Sequence, residues 1–374
     1  MNKTILFTAN RGYALSSSRR GLVEHFIGGG WQVVLATADD NESRALVELG
    51  AVLEPIVFNR GGLSPVADWR ASRRMRQIMR QWTPNLVQCF HAKTVMMGTW
   101  AARRELGGSV RVVNTITGLG HAFIDGGLVT GLASAGYRLA LPKADMTIFQ
   151  NRDDHALFLE KGWVSKERSK LIAGSGVPLN HFKFVDRSGR DPSRPVVVML
   201  GRLLNQKGIP EFAEVARRVR QELPCARFCL AGEEDPIHPD AVNMLWLNNL
   251  SDVEYVGRLA DVKPLLEEAD LLVFPSSYRE GVPRVVMEAA ATGLATIAFD
   301  VPGVREAVHD GETGYLVPER DVSAMTKQVM ELLTDEMRRR AFGQNAHELA
   351  KKAFDIGVIQ QAYLDTYRDL GVKI

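Results

Sequence analysis

Two stretches of the 374-residue chain hold side chains whose types and spacing could do chemistry together. The first runs Val196-Val197-Val198-Met199-Leu200-Gly201-Arg202-Leu203-Leu204-Asn205-Gln206-Lys207-Gly208 and reads as a buried strand, a glycine turn and a loop carrying two cations ahead of a new helix. A guanidinium past a strand end offers a fixed fork of donors to a phosphate, and a lysine five residues on adds a mobile point charge. Taken alone, Arg202 and Lys207 read equally well as solvated loop cations. The second stretch runs from Phe274 to Ala291 and reads as strand, loop and helix, with Glu280 and Glu288 eight residues apart. A helix starting near Gly281 to Pro283 would aim its orphan N–H groups at a ligand above the strand ends, and Gly281 would let an anion approach the backbone. Carboxylates beside an anion repel it unless they serve neutral hydroxyls, so the pair points to a sugar nucleotide rather than to ATP.

Other chemistries fall away. No Gly-Lys pair exists for a P-loop, and the Gly-x-Gly candidates at Gly28, Gly118 and Gly174 have Val33, Phe123 and Leu179 at the sixth position, which leaves NAD unsupported. There is no Gly-x-Ser-x-Gly elbow, and the eight His show no metal-ligand spacing. No Asp-x-Asp pair occurs to hold a divalent cation against a diphosphate, so positive side chains would have to replace the metal, and no cofactor is expected.

The elements that must position these residues follow an α/β grammar. Apolar runs such as Thr4 to Ala9, Trp31 to Thr37 and Leu86 to Phe90 alternate with helical runs, including Ser17 to Gly28 and Trp69 to Trp82. The second half repeats the pattern from Val196 to Phe299. Length, 45% hydrophobic and 24% charged residues predict two soluble globular domains: 1–180, a linker at 181–195 where Gly, Pro and Ser interrupt the periodicity, 196–355, and a helix at 356–374 that either closes the second domain or crosses back to the first. Cys89, Cys225 and Cys229 read as reduced thiols in buried strands. The N-terminus lacks the apolar stretch of a signal peptide, and the most apolar run, Gly126 to Leu141, is too short to span a membrane, so a cytoplasmic protein is expected.

Taken in order, Gly201-Arg202, Lys207-Gly208 and the Glu-x7-Glu of SYREGVPRVVMEAAATG resemble the retaining glycosyltransferases of family 4. GSGV (174–177), VGRLADV (256–262), EADLLVFPS (268–276) and FDVPGVREAVHDGETGYLVPERD (299–321) extend the likeness over nearly the whole chain. The resemblance implies the GT-B architecture, two facing Rossmann-like domains with a cleft between them, the second holding the donor and the first the acceptor. It implies that Arg202 and Lys207 neutralise the donor diphosphate, Glu280 contacts the transferred sugar and Glu288 binds the ribose. The backbone of Gly201, Gly281 and Val282, with Gly257, Arg258 and Leu259, would complete the donor site. Many members carry a Thr-x-His-Gly run after a first-domain strand. Here the stretch is Asn114-Thr115-Ile116-Thr117-Gly118-Leu119-Gly120-His121, with Thr117 at the usual His position, and His121 is either a sugar contact or an ordinary surface residue.

The NTITGLGHAF and YREGVPR wording resembles the subgroup that builds bacterial surface glycans and protein-linked oligosaccharides from UDP amino-sugars and polyprenyl-diphosphate-linked acceptors. Such an acceptor would need cations near the first strand, where Arg11, Gly12, Arg19 and Arg20 lie. Net charge is only +2, but residues 1–175 hold 22 basic against 14 acidic residues (+8) and the remainder 24 against 30 (−6). Trp69 to Trp82 carries Arg70, Arg73, Arg74, Arg76 and Arg80 beside apolar residues at helical spacing. That helix either lies on an anionic membrane at the inner face of the cell or packs its apolar stripe on its own sheet. Without recognition motifs or interleaved aromatics, nucleic acid is not an expected partner. The alternatives to transfer are a UDP-sugar epimerase or hydrolase on the same architecture and a non-catalytic nucleotide-sugar-binding regulator.

Overall fold

The computed structural model describes residues 3–58, 64–120, 127–236, 238 and 240–374. The chain forms two compact units, residues 1–176 with 356–374, and residues 177–355.

The first unit runs β1 (Thr4–Thr8), α1 (Gly12–Ser16), α2 (Arg20–Gly28), β2 (Gln32–Thr37), α3 (Asn41–Val47), β3 (Val52–Pro55), α4 (Pro65–Trp82), β4 (Leu86–Phe90), α5 (Ala92–Leu106), β5 (Arg111–Ile116), α6 (Gly127–Ala140), β6 (Met146–Phe149), α7 (Arg152–Glu160) and β7 (Ser169–Leu171). Its seven strands are parallel in the order β3-β2-β1-β4-β5-β6-β7. A parallel sheet is covered on both faces, so its strands are apolar without alternation. Leu6, Val34, Val87 and Val112 join Met75, Ile78 and Met79 of α4 in one core, while Ile5, Phe7, Val33 and Leu35 face Leu22 and Phe26 of α2 in the other.

The second unit runs β8 (Val196–Leu200), α8 (Ile209–Glu222), β9 (Arg227–Ala231), α9 (Met244–Asn248), β10 (Glu254–Gly257), α10 (Lys263–Glu268), β11 (Leu271–Phe274), α11 (Arg284–Ala291), β12 (Thr296–Phe299), β13 (Gly314–Val317), α12 (Val322–Thr334) and α13 (Glu336–Leu349). Its six parallel strands are ordered β10-β9-β8-β11-β12-β13. The last helix, α14 (Ile356–Asp369), belongs to the first unit, where Ile359, Tyr363 and Tyr367 enter the core of Ile5 and Phe7. Two buried hydroxyls tie it there: Tyr367 donates to Gln88 Oε1 at 2.9 Å, and the Tyr363 hydroxyl lies 3.2 Å from Thr115 Oγ1.

Two expectations need correction. Residues 181–195 are not a free linker but a strap on the second unit. Buried Arg187 donates to the carbonyls of Leu266 (2.9 Å), Ala269 (2.7 Å), Thr292 (2.7 Å) and Gly293 (3.0 Å), and burial pushes its pKa down to about 10. One guanidinium supplies the order that periodicity would otherwise signal, which is why the composition reads as a linker. Cys89 and Cys229 are buried in strands, but Cys225 is exposed in the turn before β9.

In each sheet the strand order reverses direction once, between β1 and β4 and between β8 and β11. At such a switch point the connections leave the strands' carboxyl ends in opposite directions, and a crevice opens between them.

Candidate functional site

In the second unit both chemistry-bearing stretches meet at the switch point. Gly201 and Arg202 leave β8, and Pro275 to Tyr278 leave its neighbour β11. The two loops are stitched together, since Ser277 N–H donates to the Gln206 carbonyl at 3.0 Å. Gly208 has φ +84°, and a Cβ there would stand 1.9 Å from the Pro275 carbonyl oxygen. Only glycine fits both the backbone conformation and the space. The Glu280 loop is pinned from its other side by Gly303, φ +85°, whose Cβ would meet the Gly281 carbonyl oxygen at 2.0 Å.

This packing brings Lys207, buried at 8% exposure, onto Glu280 as an ion pair, with Nζ 4.7 Å from the Tyr278 ring centroid. Arg202 Nη1 donates to Asp235 at 3.3 Å and keeps about a third of its side chain in solvent. Helix α11 starts at Arg284, later than Gly281 to Pro283, so Gly281 and Val282 lie in the loop and Val282 is buried. Glu288 is one turn into α11 and 7% exposed. Its Oε1 accepts from Arg284 Nε at 2.6 Å. Burial pushes the Glu288 carboxyl above the usual carboxylate range, Arg284 pulls it back, Asp261 adds a smaller upward push and His181 a smaller downward one. His181 and Asp261 themselves pair at 3.0 Å. Gly257, Arg258 and Leu259 lie at the carboxyl end of edge strand β10, where exposed Arg258 pairs with Glu233 at 3.2 Å.

The first unit treats its candidates unequally. Arg11 is exposed ahead of α1. The Gly12 amide donates to Asp40 Oδ2 at 2.9 Å, and a Cβ there would strike Oδ1 at 2.1 Å. Arg20 is exposed and pairs with Glu24 at 2.8 Å. Arg19, by contrast, is buried and donates to the Ser18 and Ser175 carbonyls and the Tyr363 hydroxyl. Its guanidinium lies over the Phe90 and Tyr363 rings at 5.1 and 4.7 Å. Arg19 therefore ties α14 to the loop after β7. Thr117 is half-buried just beyond β5; His121 lies outside the described residues.

The arginines of α4 are also partly neutralised. Arg74 pairs with Glu54, and Arg76 and Arg80 both pair with Glu105, while Ala71, Met75, Ile78 and Met79 enter the core. Of the two readings of this helix, the structure supports packing on its own sheet.

Sequence reasoning missed His91. It follows β4 at the first unit's switch point with φ +75° and ψ 159°, a conformation that costs a non-glycine residue about 1–3 kcal/mol, and its Nδ1 accepts from the Asn10 amide at 3.4 Å. The signal was a histidine at a strand-to-helix junction beside the first strand.

The two parallel-sheet units with their switch-point sites define a GT-B glycosyltransferase. The glycosyl transferase 4-like domain model matches residues 16–173 and the glycosyl transferases group 1 model residues 194–335, so the chain belongs to this glycosyltransferase family. It is 27% identical over 351 residues, 90% of each chain, to the N,N'-diacetylbacillosaminyl-diphospho-undecaprenol alpha-1,3-N-acetylgalactosaminyltransferase of Campylobacter jejuni. It is 24% identical to the putative glycosyltransferase EpsD of Bacillus subtilis, covering 100% of this chain and 99% of that one. The fold is that of sucrose-phosphate synthase from Thermosynechococcus elongatus (TM-score 0.79, 20% identity, 99% of both chains) and of Anabaena HepE in complex with UDP (TM-score 0.76, 20% identity, 99% of this chain and 100% of that).

Proposed function

We propose that this glycosyltransferase moves an N-acetylhexosamine, with retention of configuration and without a metal, from a UDP-sugar to a polyprenyl-diphosphate-linked saccharide in bacterial surface-glycan or glycoprotein oligosaccharide assembly. It would work peripherally at the inner face of the cell membrane. The observation that carries the reading is the switch-point cluster of Arg202, Lys207 and Glu280, two cations and a carboxylate at adjoining strand ends. The donor and acceptor classes are supported by the Campylobacter relative's lipid-linked substrate and the UDP complex of HepE.

In this reading the Arg202 guanidinium and the Lys207 ammonium bind the diphosphate as the C1–O bond to UDP breaks, stabilising the charge on the leaving group. The acceptor oxygen bonds C1 on the same face, and its proton passes to a diphosphate oxygen. Glu280 accepts from a sugar hydroxyl and Glu288 from the ribose. At rest Lys207 is held by Glu280, so donor binding exchanges a carboxylate partner for a phosphate one, and no bare cation is left in between.

Purified protein is incubated without added metal with a panel of UDP- and GDP-sugars, with and without extracted polyprenyl-linked saccharides, and UDP release and lipid-product mass are measured. Acceptor-dependent UDP release with a product heavier by one N-acetylhexosamine is expected. Turnover without acceptor would replace transfer with hydrolysis or epimerisation.

A further inference from the structure

Helix α6 is apolar on its outside as well as its inside. Tyr137 and Ala140 are buried, yet Val129, Leu132 and Leu139 are 45%, 47% and 57% exposed. At 100° per residue, Leu132, Ala135 and Leu139 share one outward face, opposite the side that Tyr137 packs against the unit's own core. A helix that is apolar all round is normally buried on all sides. Among the described residues, this one is covered on the Tyr137 side and not on the Leu132 and Leu139 side.

The neighbouring surface continues the pattern. Gly136 lies against Met96 of α5, where a Cβ would stand 2.0 Å from the sulfur, and one turn along α5 Trp100 is 45% exposed. Lys143, just past α6, sits over the Trp100 ring at 4.8 Å. Residues 127–144 contain no Asp or Glu; their only charges are Arg138 and Lys143, both exposed, and Arg104 on α5 is exposed nearby in the chain. An apolar face with a tryptophan and a cationic rim suits an anionic lipid surface, where the apolar side chains enter the interface, the indole sits at headgroup level and the cations meet phosphates. In helix α4 the stripe of Ala71, Met75, Ile78 and Met79 is in the core and Arg74, Arg76 and Arg80 already have carboxylate partners, so it exposes a smaller apolar surface, Val66 and Trp69 beside Arg70 and Arg73 near its start.

We infer that the outer face of α6, with Trp100, Arg138 and Lys143, is the surface by which this chain lies on an anionic membrane. The inference draws on the proposed lipid-linked acceptor only for the choice of lipid over protein. No helix among the described residues is long and apolar enough to cross a membrane, so attachment through this face would be reversible.

The test is co-sedimentation of the full chain with vesicles of phosphatidylcholine alone or with one third phosphatidylglycerol, without acceptor, beside calorimetric titration of UDP. The wild type should partition onto the anionic vesicles and weakly onto the neutral ones. The L132S/L139S variant should lose about tenfold or more of that partitioning. The R138E/K143E variant should lose the preference for anionic vesicles, and R70E/R73E should bind as the wild type does. UDP affinity should be unchanged throughout, showing that each variant is folded. Absence of wild-type binding, or undiminished binding by L132S/L139S, would overturn the inference. So would a wild-type dimer that L132S/L139S converts to monomer, because a second copy would then cover the face. Any of these results leaves acceptor-dependent transfer from UDP-sugar, measured with detergent-dispersed acceptor, to stand or fall separately.

Discussion

Replacing Arg284 by Gln tests whether Glu288 works as an ionised carboxylate held ready for donor hydroxyls. The Glu288 side chain is 9% accessible and that of Arg284 26%, so their 2.6 Å contact is largely shielded from water. A hydrogen bond to a charged group contributes about 1.5–3 kcal/mol, which corresponds to roughly 10- to 100-fold in an equilibrium. Burial already raises the Glu288 carboxyl and Arg284 is the first opposing influence. Without the guanidinium the carboxyl rises further and is neutral over more of the working range. UDP-sugar affinity, measured by titration calorimetry from acid to mildly alkaline pH, should fall about 10- to 100-fold for R284Q on the acid side and recover as pH rises. The wild-type loss should begin at lower pH, and E288Q should show no such dependence. Stability moves the opposite way: an acid whose folded pKa is raised contributes stability below its unfolded value and loses it as pH climbs through the folded value. R284Q should therefore be most destabilised relative to wild type at the alkaline end. An R284Q affinity profile that overlays the wild type would refute the reasoning, because the contact would then have no effect on the donor.

The remaining predictions concern the switch points. Arg202→Ala or Lys207→Ala should each lower turnover at least about 100-fold with saturating donor, and near-normal turnover in both would remove the cations from the chemistry. Gly208→Ala forces a Cβ 1.9 Å from the Pro275 carbonyl oxygen at φ +84°, and should cost more than about 1 kcal/mol in urea melts while weakening UDP binding. His91→Gly releases the positive-φ strain, so Tm should hold or rise while acceptor-dependent turnover drops; a lower Tm with intact turnover would make His91 purely structural.

Local pattern alone determined much of this protein. Strands such as Val196–Leu200 and Leu271–Phe274, the helical runs between them, and the Arg202, Lys207, Glu280 and Glu288 spacings are legible because each depends on residues close in sequence. Tertiary structure decided what depends on distant partners. Lys207 meets Glu280 across 73 positions, and Arg80 finds Glu105 across 25. The second of these pairs helps explain why a basic helix that reads as membrane-seeking is partly neutralised by neighbouring elements. Arg187 turns an apparent linker into a strap by reaching carbonyls 79 to 106 residues away. Arg19 became a tie because Tyr363 and Ser175, remote in sequence, are its neighbours in the fold. The return of α14 to the first sheet belongs to the same class, since its apolar stripe would suit either unit and only the gap over Ile5 and Phe7 chooses. Side-chain type and spacing state what a residue can do; which charge or surface it meets is settled when the chain closes loops of tens to hundreds of residues, and no local window contains that information.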